Sequence, residues 1–217
     1  MKVYFISGLG ADHRVFSFLD LSFCEPVYIN WIEPEAGETL PAYALRLRAL
    51  IPEEAPVIVG LSLGGMMAAE IAKADSRVKA ILISSNKSSE EFPFYLRVFK
   101  YVPLHKWIPG KVLKNIQNVY TYSFGVKDPE HRKILFDIIA DADIPFVRWA
   151  IGAMIYWNSP ICTDNIVQIH GTGDRVLRMR YVKPDYVIPG GSHTMTFDKH
   201  QEVSELLRRL TVERDEG

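Results

Sequence analysis

Short apolar runs alternate with stretches of helical spacing along most of this chain. Val3-Tyr4-Phe5-Ile6 predicts a first strand ending at Gly8-Leu9-Gly10, and Val27-Tyr28-Ile29-Asn30-Trp31-Ile32 a second, after a short helix near residues 15–19. Residues 40–50 repeat their apolar positions at helical spacing, with Thr39 placed as N-cap and Pro41 early, where a helix accepts it. Val57-Ile58-Val59, Val78-Lys79-Ala80-Ile81-Leu82-Ile83, Ile166-Val167-Gln168-Ile169 and Tyr186-Val187-Ile188 read as the third to sixth strands. A helix from about 199 to 210 closes the pattern, and the charged tail 213–216 is expected to fray. Short β-branched strands separated by helices predict an α/β fold: a mostly parallel sheet of about six strands with helices on both faces.

Residues 88–160 break this alternation. They hold no convincing strand, and their helix-like stretches are interrupted by Pro93, Pro103, Pro109 and Pro145. They also carry 14 of the 25 aromatic residues, which is far more than their share of the chain. This predicts an α-helical cap, residues 88–160, inserted into a core formed by 1–87 and 161–217. Most of the rings are expected to fill a small helical core. Any of them, such as Trp107, Trp149 or Trp157, could touch a substrate. Between Phe92 and Lys127 there is no acidic residue but six Lys or Arg. Such a run reads as a solvated face, with an anionic substrate or a lipid surface as the alternative.

Composition narrows the function classes. The 217 residues are 48% hydrophobic and 24% charged, as in an ordinary soluble globule. A formal net charge of −1 supplies no field for nucleic acid. No apolar run reaches the roughly 18–20 residues that span a bilayer, so stable membrane insertion is not expected. The start, Met1-Lys2-Val3-Tyr4-Phe5-Ile6, is too short for a secretory leader, and a cytoplasmic location is expected. Cys24 and Cys162 stand far apart without metal-type spacing and are read as reduced. With no metal-ligand cluster and no dinucleotide-binding glycine loop, neither a metal nor a cofactor is expected.

The chemistry concentrates at Gly60-Leu61-Ser62-Leu63-Gly64-Gly65, between an apolar strand and the helix-forming Met66-Met67-Ala68-Ala69-Glu70. A serine hydroxyl is a poor nucleophile until geometry and a base activate it. A sharp strand-to-helix turn lifts it above the sheet edge, and flanking glycines let neighbouring backbone pass. Of the six histidines, His193 alone follows the last strand in a glycine-rich loop, Pro189-Gly190-Gly191-Ser192-His193, that can bend back to that edge. His200 falls in the final helix, His105 and His131 in the cap, His13 after the first loop, and His170 reads as loop structure. The imidazole needs an acid to fix its tautomer. Asp174 follows the fifth strand in His170-Gly171-Thr172-Gly173-Asp174, whereas the rival position after the fourth strand reads Ser84-Ser85-Asn86, without a carboxylate, and Asp164 precedes its strand. Leu63 N–H at the helix start and Leu9 N–H in the Gly8-Leu9-Gly10 loop are the candidate donors to a tetrahedral oxyanion. A β-branched residue at Gly8 or Gly10 is expected to harm turnover more than stability.

The order Ser62, Asp174, His193, together with the Gly8-Leu9-Gly10 loop, resembles the α/β-hydrolase superfamily in its compact capped branch. The resemblance covers nearly the whole chain. It implies a nucleophile after the middle strand and a helical lid after the strand that follows. Ser7-Gly8 stands where many members carry His-Gly, and the two N-terminal antiparallel strands of larger members are missing, so a reduced sheet is expected. Serine at position 62 sets aside the haloalkane dehalogenases and epoxide hydrolases, which share the fold but use a carboxylate nucleophile. The expected activity is hydrolysis of a small carboxylic ester or thioester through an acyl-enzyme on Ser62. A lyase using the same three residues as a general base, or a non-catalytic receptor for a small ligand, stays open. Oligomeric state is not legible.

Overall fold

Six parallel strands form a single sheet in the order β2-β1-β3-β4-β5-β6 in the computed structural model, which describes residues 1–92, 123–160 and 163–212. The strands are β1 (Lys2–Ile6), β2 (Glu25–Ile29), β3 (Val57–Leu61), β4 (Lys79–Ile83), β5 (Ile166–Gly171) and β6 (Tyr186–Ile188). Among the described residues the helices are α1 (Leu40–Arg48), α2 (Leu63–Ala74), α3 (Pro129–Asp141), α4 (Ile144–Tyr156), α5 (Met195–Asp198) and α6 (His200–Val212). The chain leaves β1 for one edge of the sheet and then, from β3 onward, builds toward the other. At that reversal the connections after β1 and β3 part to opposite faces and open a crevice at the C-terminal strand ends. The register sets Ile6 of β1 beside Gly60 of β3, so both loops rise at one level.

Strand alternation sorts the core. Tyr4, Ile6, Ile58 and Leu82 face α1 and α2, while Val3, Phe5, Val59, Ile81 and Ile169 face Val203, Leu207 and Leu210 of α6. From Leu63 through Ala72 every residue of α2 is buried. Such a helix has no solvent face to spare, which explains its run of small and apolar residues.

Boundaries differ from the sequence reading where side chains bind backbone. The helix near 15–19 is a 3₁₀ turn, His13–Phe16, whose N-cap Asp12 accepts the Arg14 N–H. The second strand begins at Glu25 and ends at Ile29; Trp31 and Ile32 instead leave the sheet, with the Tyr43 hydroxyl hydrogen-bonded to both backbone groups of Ile32. Pro26 is tolerated because β2 is an edge strand. A separate short helix, α5, precedes the closing one.

Within the expected cap, Pro145 does not interrupt a helix: it lies in the first turn of α4, as Pro129 does in α3, with Asp143 and Asp128 as N-caps. Pro93, Pro103 and Pro109 lie outside the described residues. Phe146 and Ala150 of α4 join the core on the α1–α2 side, and Ile138 of α3 joins the opposite one, so the two helices straddle the crevice. The inserted segment is tied at its neck. Ser89 N–H donates to the Ser159 carbonyl and Ser159 N–H to the Ser89 hydroxyl, both at 3.0 Å, and Lys73 of α2 donates to the Ser159 hydroxyl. Among the described residues no helix is long and apolar enough to cross a membrane.

Candidate active site

The turn from β3 to α2 is feasible only because three glycines let neighbouring groups approach where a Cβ would stand. A Cβ on Gly60 would lie 2.2 Å from the Gly64 carbonyl oxygen, one on Gly64 would lie 2.2 Å from that of Ile6, and one on Gly65 would lie 2.5 Å from Ser85 Cβ. The turn forces Ser62 to φ 52°, ψ −116°, a conformation that costs a non-glycine residue about 1–3 kcal/mol. Hydrogen bonds hold it there. Ser62 N–H donates to Ile83, and the Ser62 carbonyl accepts from Gly65 N–H, Met66 N–H and, at 2.6 Å, the Ser85 hydroxyl. The Ser62 side chain is thus aimed out of the turn, half-buried.

Two further loops clasp each other beside it. A Cβ on Gly171 would stand 2.1 Å from the Gly191 carbonyl, so the loop after β5 and the loop after β6 touch through bare backbone. Gly173 N–H donates to Gly191 and Gly190 N–H to the Thr172 hydroxyl across this contact. Asp174 and His193 stand on opposite sides of the clasp. His193 Nδ1 is 2.8 Å from Asp174 Oδ2, and His193 Nε2 is 3.0 Å from Ser62 Oγ. An ionised carboxylate can only accept, so Nδ1 carries the proton and Nε2 is left bare toward the hydroxyl. The other carboxylate oxygen accepts the Val176 and Leu177 N–H groups at 2.8 Å each. Burial alone would push the Asp174 carboxyl up. The charge and hydrogen bond of His193, with the Leu177 amide, outweigh it and hold the group below the usual carboxylate range.

The structure therefore brings Ser62, His193 and Asp174 into one hydrogen-bonded line. Leu63 and Leu9 flank it, the first as the opening residue of α2 and the second in the loop after β1. Among the described residues neither amide donates to an intramolecular acceptor. Ser7, which stands where a His-Gly pair was the family expectation, closes the Leu9 loop by donating to the Ala11 carbonyl at 2.7 Å, an oxygen that also accepts the Trp31 indole N–H. Only Gly10 of this loop takes a positive φ, 63°. A Cβ there would also meet Val147 at 2.7 Å, so substitution of Gly10 strains the fold itself, contrary to the expectation of a mainly catalytic effect. Gly8 has room for a Cβ, 3.7 Å from that of Ser62.

Above Ser62 lies a cavity of about 400 Å³. Its described lining is almost wholly apolar: Leu135, Ile138 and Ile139 of α3, Val147 and Met154 of α4, and Val176 beside Asp174, with Phe92 and Phe124 as its only described aromatic rings. Trp149 and Trp157 do not line it. Trp149 packs on Tyr43 and donates to the Glu38 carbonyl, while Trp157 is buried against Phe92 with Lys73 over its ring. Trp107 lies outside the described residues, as do His105, Cys162 and all but Lys127 of the basic run.

Sequence reasoning missed several positions. His170 is not loop but the penultimate residue of β5, fully buried, with Nε2 at 2.6 Å from the Leu177 carbonyl and 3.5 Å from Asp174. Asp198 of α5 accepts the Ser192 hydroxyl and N–H and so steadies the residue before His193. Phe124 stacks on the His193 ring, with centroids 5.4 Å apart. The six-residue spacing from Ser192 to Asp198 was the one local signal among these. Among the described residues no group of three or more His, Cys, Asp or Glu side chains is arranged to hold a metal ion.

A six-stranded parallel sheet with a strained serine turn after its middle strand and an inserted helical segment after the next is the α/β-hydrolase fold. No protein-family model and no curated protein sequence matches the chain. Its solved structural neighbours include a carboxylesterase of the ammonia-oxidizing thaumarchaeon Nitrososphaera gargenis, with a TM-score of 0.75 at 15% identity over 97% of this chain and 89% of that one. An esterase from Exiguobacterium antarcticum gives 0.72 at 15% identity, covering 95% and 90%. A bromoperoxidase from Bacillus anthracis gives 0.68 at 16% identity, also covering 95% and 90%. At these identities the likeness is one of fold.

Proposed function

We propose that this chain is a serine hydrolase that cleaves a small carboxylic ester or thioester with an uncharged, apolar acyl group. The observation that carries this reading is the line from Asp174 through His193 to Ser62, closed at 2.8 and 3.0 Å on the floor of an apolar cavity. In the proposed reaction Ser62 Oγ attacks the carbonyl carbon while His193 Nε2 takes the hydroxyl proton. Leu63 and Leu9 N–H receive the negative charge on the former carbonyl oxygen. The tetrahedral adduct collapses, the bond to the leaving alcohol or thiol breaks, and His193 returns the proton to the departing atom. Water, deprotonated by His193, then attacks the acyl-enzyme and releases the free acid and the Ser62 hydroxyl. Asp174 holds the imidazole tautomer and stabilises its cationic form in both halves. The aliphatic lining favours a hydrocarbon acyl chain, since among the described residues it offers a charged chain no partner. The esterases among the structural neighbours are consistent with this chemistry.

The test is labelling with a fluorophosphonate, read by intact mass and peptide mapping, beside turnover of a p-nitrophenyl ester series and of acyl-CoAs. The expected result is one adduct on Ser62, and turnover of apolar esters that Ser62→Ala loses by at least about 10³-fold with little change in melting temperature. A folded wild-type protein that takes up no probe and turns over no ester sinks the reading.

A further inference from the structure

Of the two histidines that approach Asp174, only His193 has a role in the reaction proposed above. The other, His170, has none, yet it is wholly buried at the end of β5. Its Nε2 lies 2.6 Å from the Leu177 carbonyl, which can only accept, so Nε2 carries the proton. Its Nδ1 is buried and without a hydrogen-bond partner. A second proton there would place an unpaired donor and a charge in a dry site, which disfavours it. The ring is therefore held neutral, in one tautomer. Burial pushes its pKa down, against the pull of Asp174 and of the Leu177 carbonyl, with His193 and Glu91 as the other ionisable groups that bear on it.

What this ring grips is the acid's own support. Leu177 offers its carbonyl to His170 and its N–H to Asp174 Oδ1 at 2.8 Å, so one peptide segment links the two side chains. The same N–H edge of His170 lies 3.5 Å from Asp174 Oδ2, the oxygen that binds His193. We propose that His170 is a positioning residue: as a neutral N–H donor it anchors Leu177 and so fixes the Asp174 carboxylate in the plane that the Nδ1–H of His193 needs. The proposal rests on the hydrolase reading for its catalytic consequence, but not for its structural one.

The experiment compares wild type, His170→Gln and His170→Leu. Glutamine places an N–H near the position of Nε2 and cannot titrate; leucine removes the donor. The low-field proton of the His193 Nδ1–H is followed by NMR, which needs no turnover. Where an ester is turned over, kcat and KM are measured against pH. In His170→Leu the low-field proton is expected to broaden, because the carboxylate that holds it is loosened, and kcat to fall by up to about 10²-fold at nearly constant KM. His170→Gln is expected to restore both. If His170→Leu does not fold, His170→Asn, polar but too short to reach Leu177, replaces it. An unchanged low-field proton in the donor-less variant, or equal effects of the glutamine and donor-less variants, overturns the proposal. Failure of wild type to turn over any ester, with the low-field proton behaving as expected, would count against the hydrolase reading alone.

Discussion

Ser62 is held in a backbone conformation that a serine avoids, and the cost is met by four hydrogen bonds around its own peptide groups. Asp174 is likewise over-determined, with each carboxylate oxygen occupied. At this scale the prediction concerns tautomer. Asp174→Asn keeps the shape but supplies an amide that can donate to Nδ1, which turns the bare nitrogen of His193 away from the hydroxyl. Turnover of the best ester is expected to fall by about 10⁴-fold with KM little changed, in steady-state kinetics. These three residues were legible because each follows a strand and each stands in a glycine-bearing stretch. Ser85, His170 and Asp198 were not. Ser85 lies 23 residues from the carbonyl it binds, and His170 acts through a peptide carbonyl that has no sequence signal at all.

The elements depend on glycines in unequal ways. Gly64 presses on the Ile6 carbonyl and joins α2 to β1 at a distance no Cβ allows, whereas Gly8 touches nothing closely. Gly64→Ala is expected to destabilise the fold by more than about 3 kcal/mol, because two backbones must part. Gly8→Ala is expected to stay within about 1 kcal/mol, both read from urea unfolding. The same contrast explains what pattern reading achieved. Strands with β-branched apolar runs were placed within two or three residues, since burial on both faces demands such runs. The 3₁₀ turn at His13–Phe16 and the early end of β2 were missed, because both are decided by side-chain-to-backbone bonds that apolar periodicity does not register, Asp12 to the Arg14 N–H and the Tyr43 hydroxyl to Ile32. The stretch between β4 and β5 reads as an interruption of the alternation, but nothing in its pattern marks a cavity: Trp149 and Trp157 pack the flank, while Leu135, Ile138 and Val147 line the space above Ser62.

For the molecule as a whole, the sheet order sets where chemistry can occur, and buried ionisable groups set how acid undoes it. Burial displaces the pKa of His170 downward. The folded chain then binds that proton less readily than the unfolded chain, so stability is full above about pH 6.5 and declines as pH falls below it. The slope is expected to approach 1.4 kcal/mol per pH unit until the native pKa is reached. Asp174, also depressed, adds a second loss only below about pH 4, as its carboxylate is protonated. Unfolding free energies measured from pH 7.5 to 5 should show the first decline in wild type and a flatter profile in His170→Gln; identical profiles would refute this assignment.

The paired serines at positions 89 and 159 have an evolutionary corollary. Because the segment between them leaves and rejoins the scaffold at one clamped point, its length and composition can drift while Ser62, His193 and Asp174 keep their spacing. In the proposed hydrolase, selectivity and reactivity would then be heritable as separate traits, one written in the roof and the other in the floor.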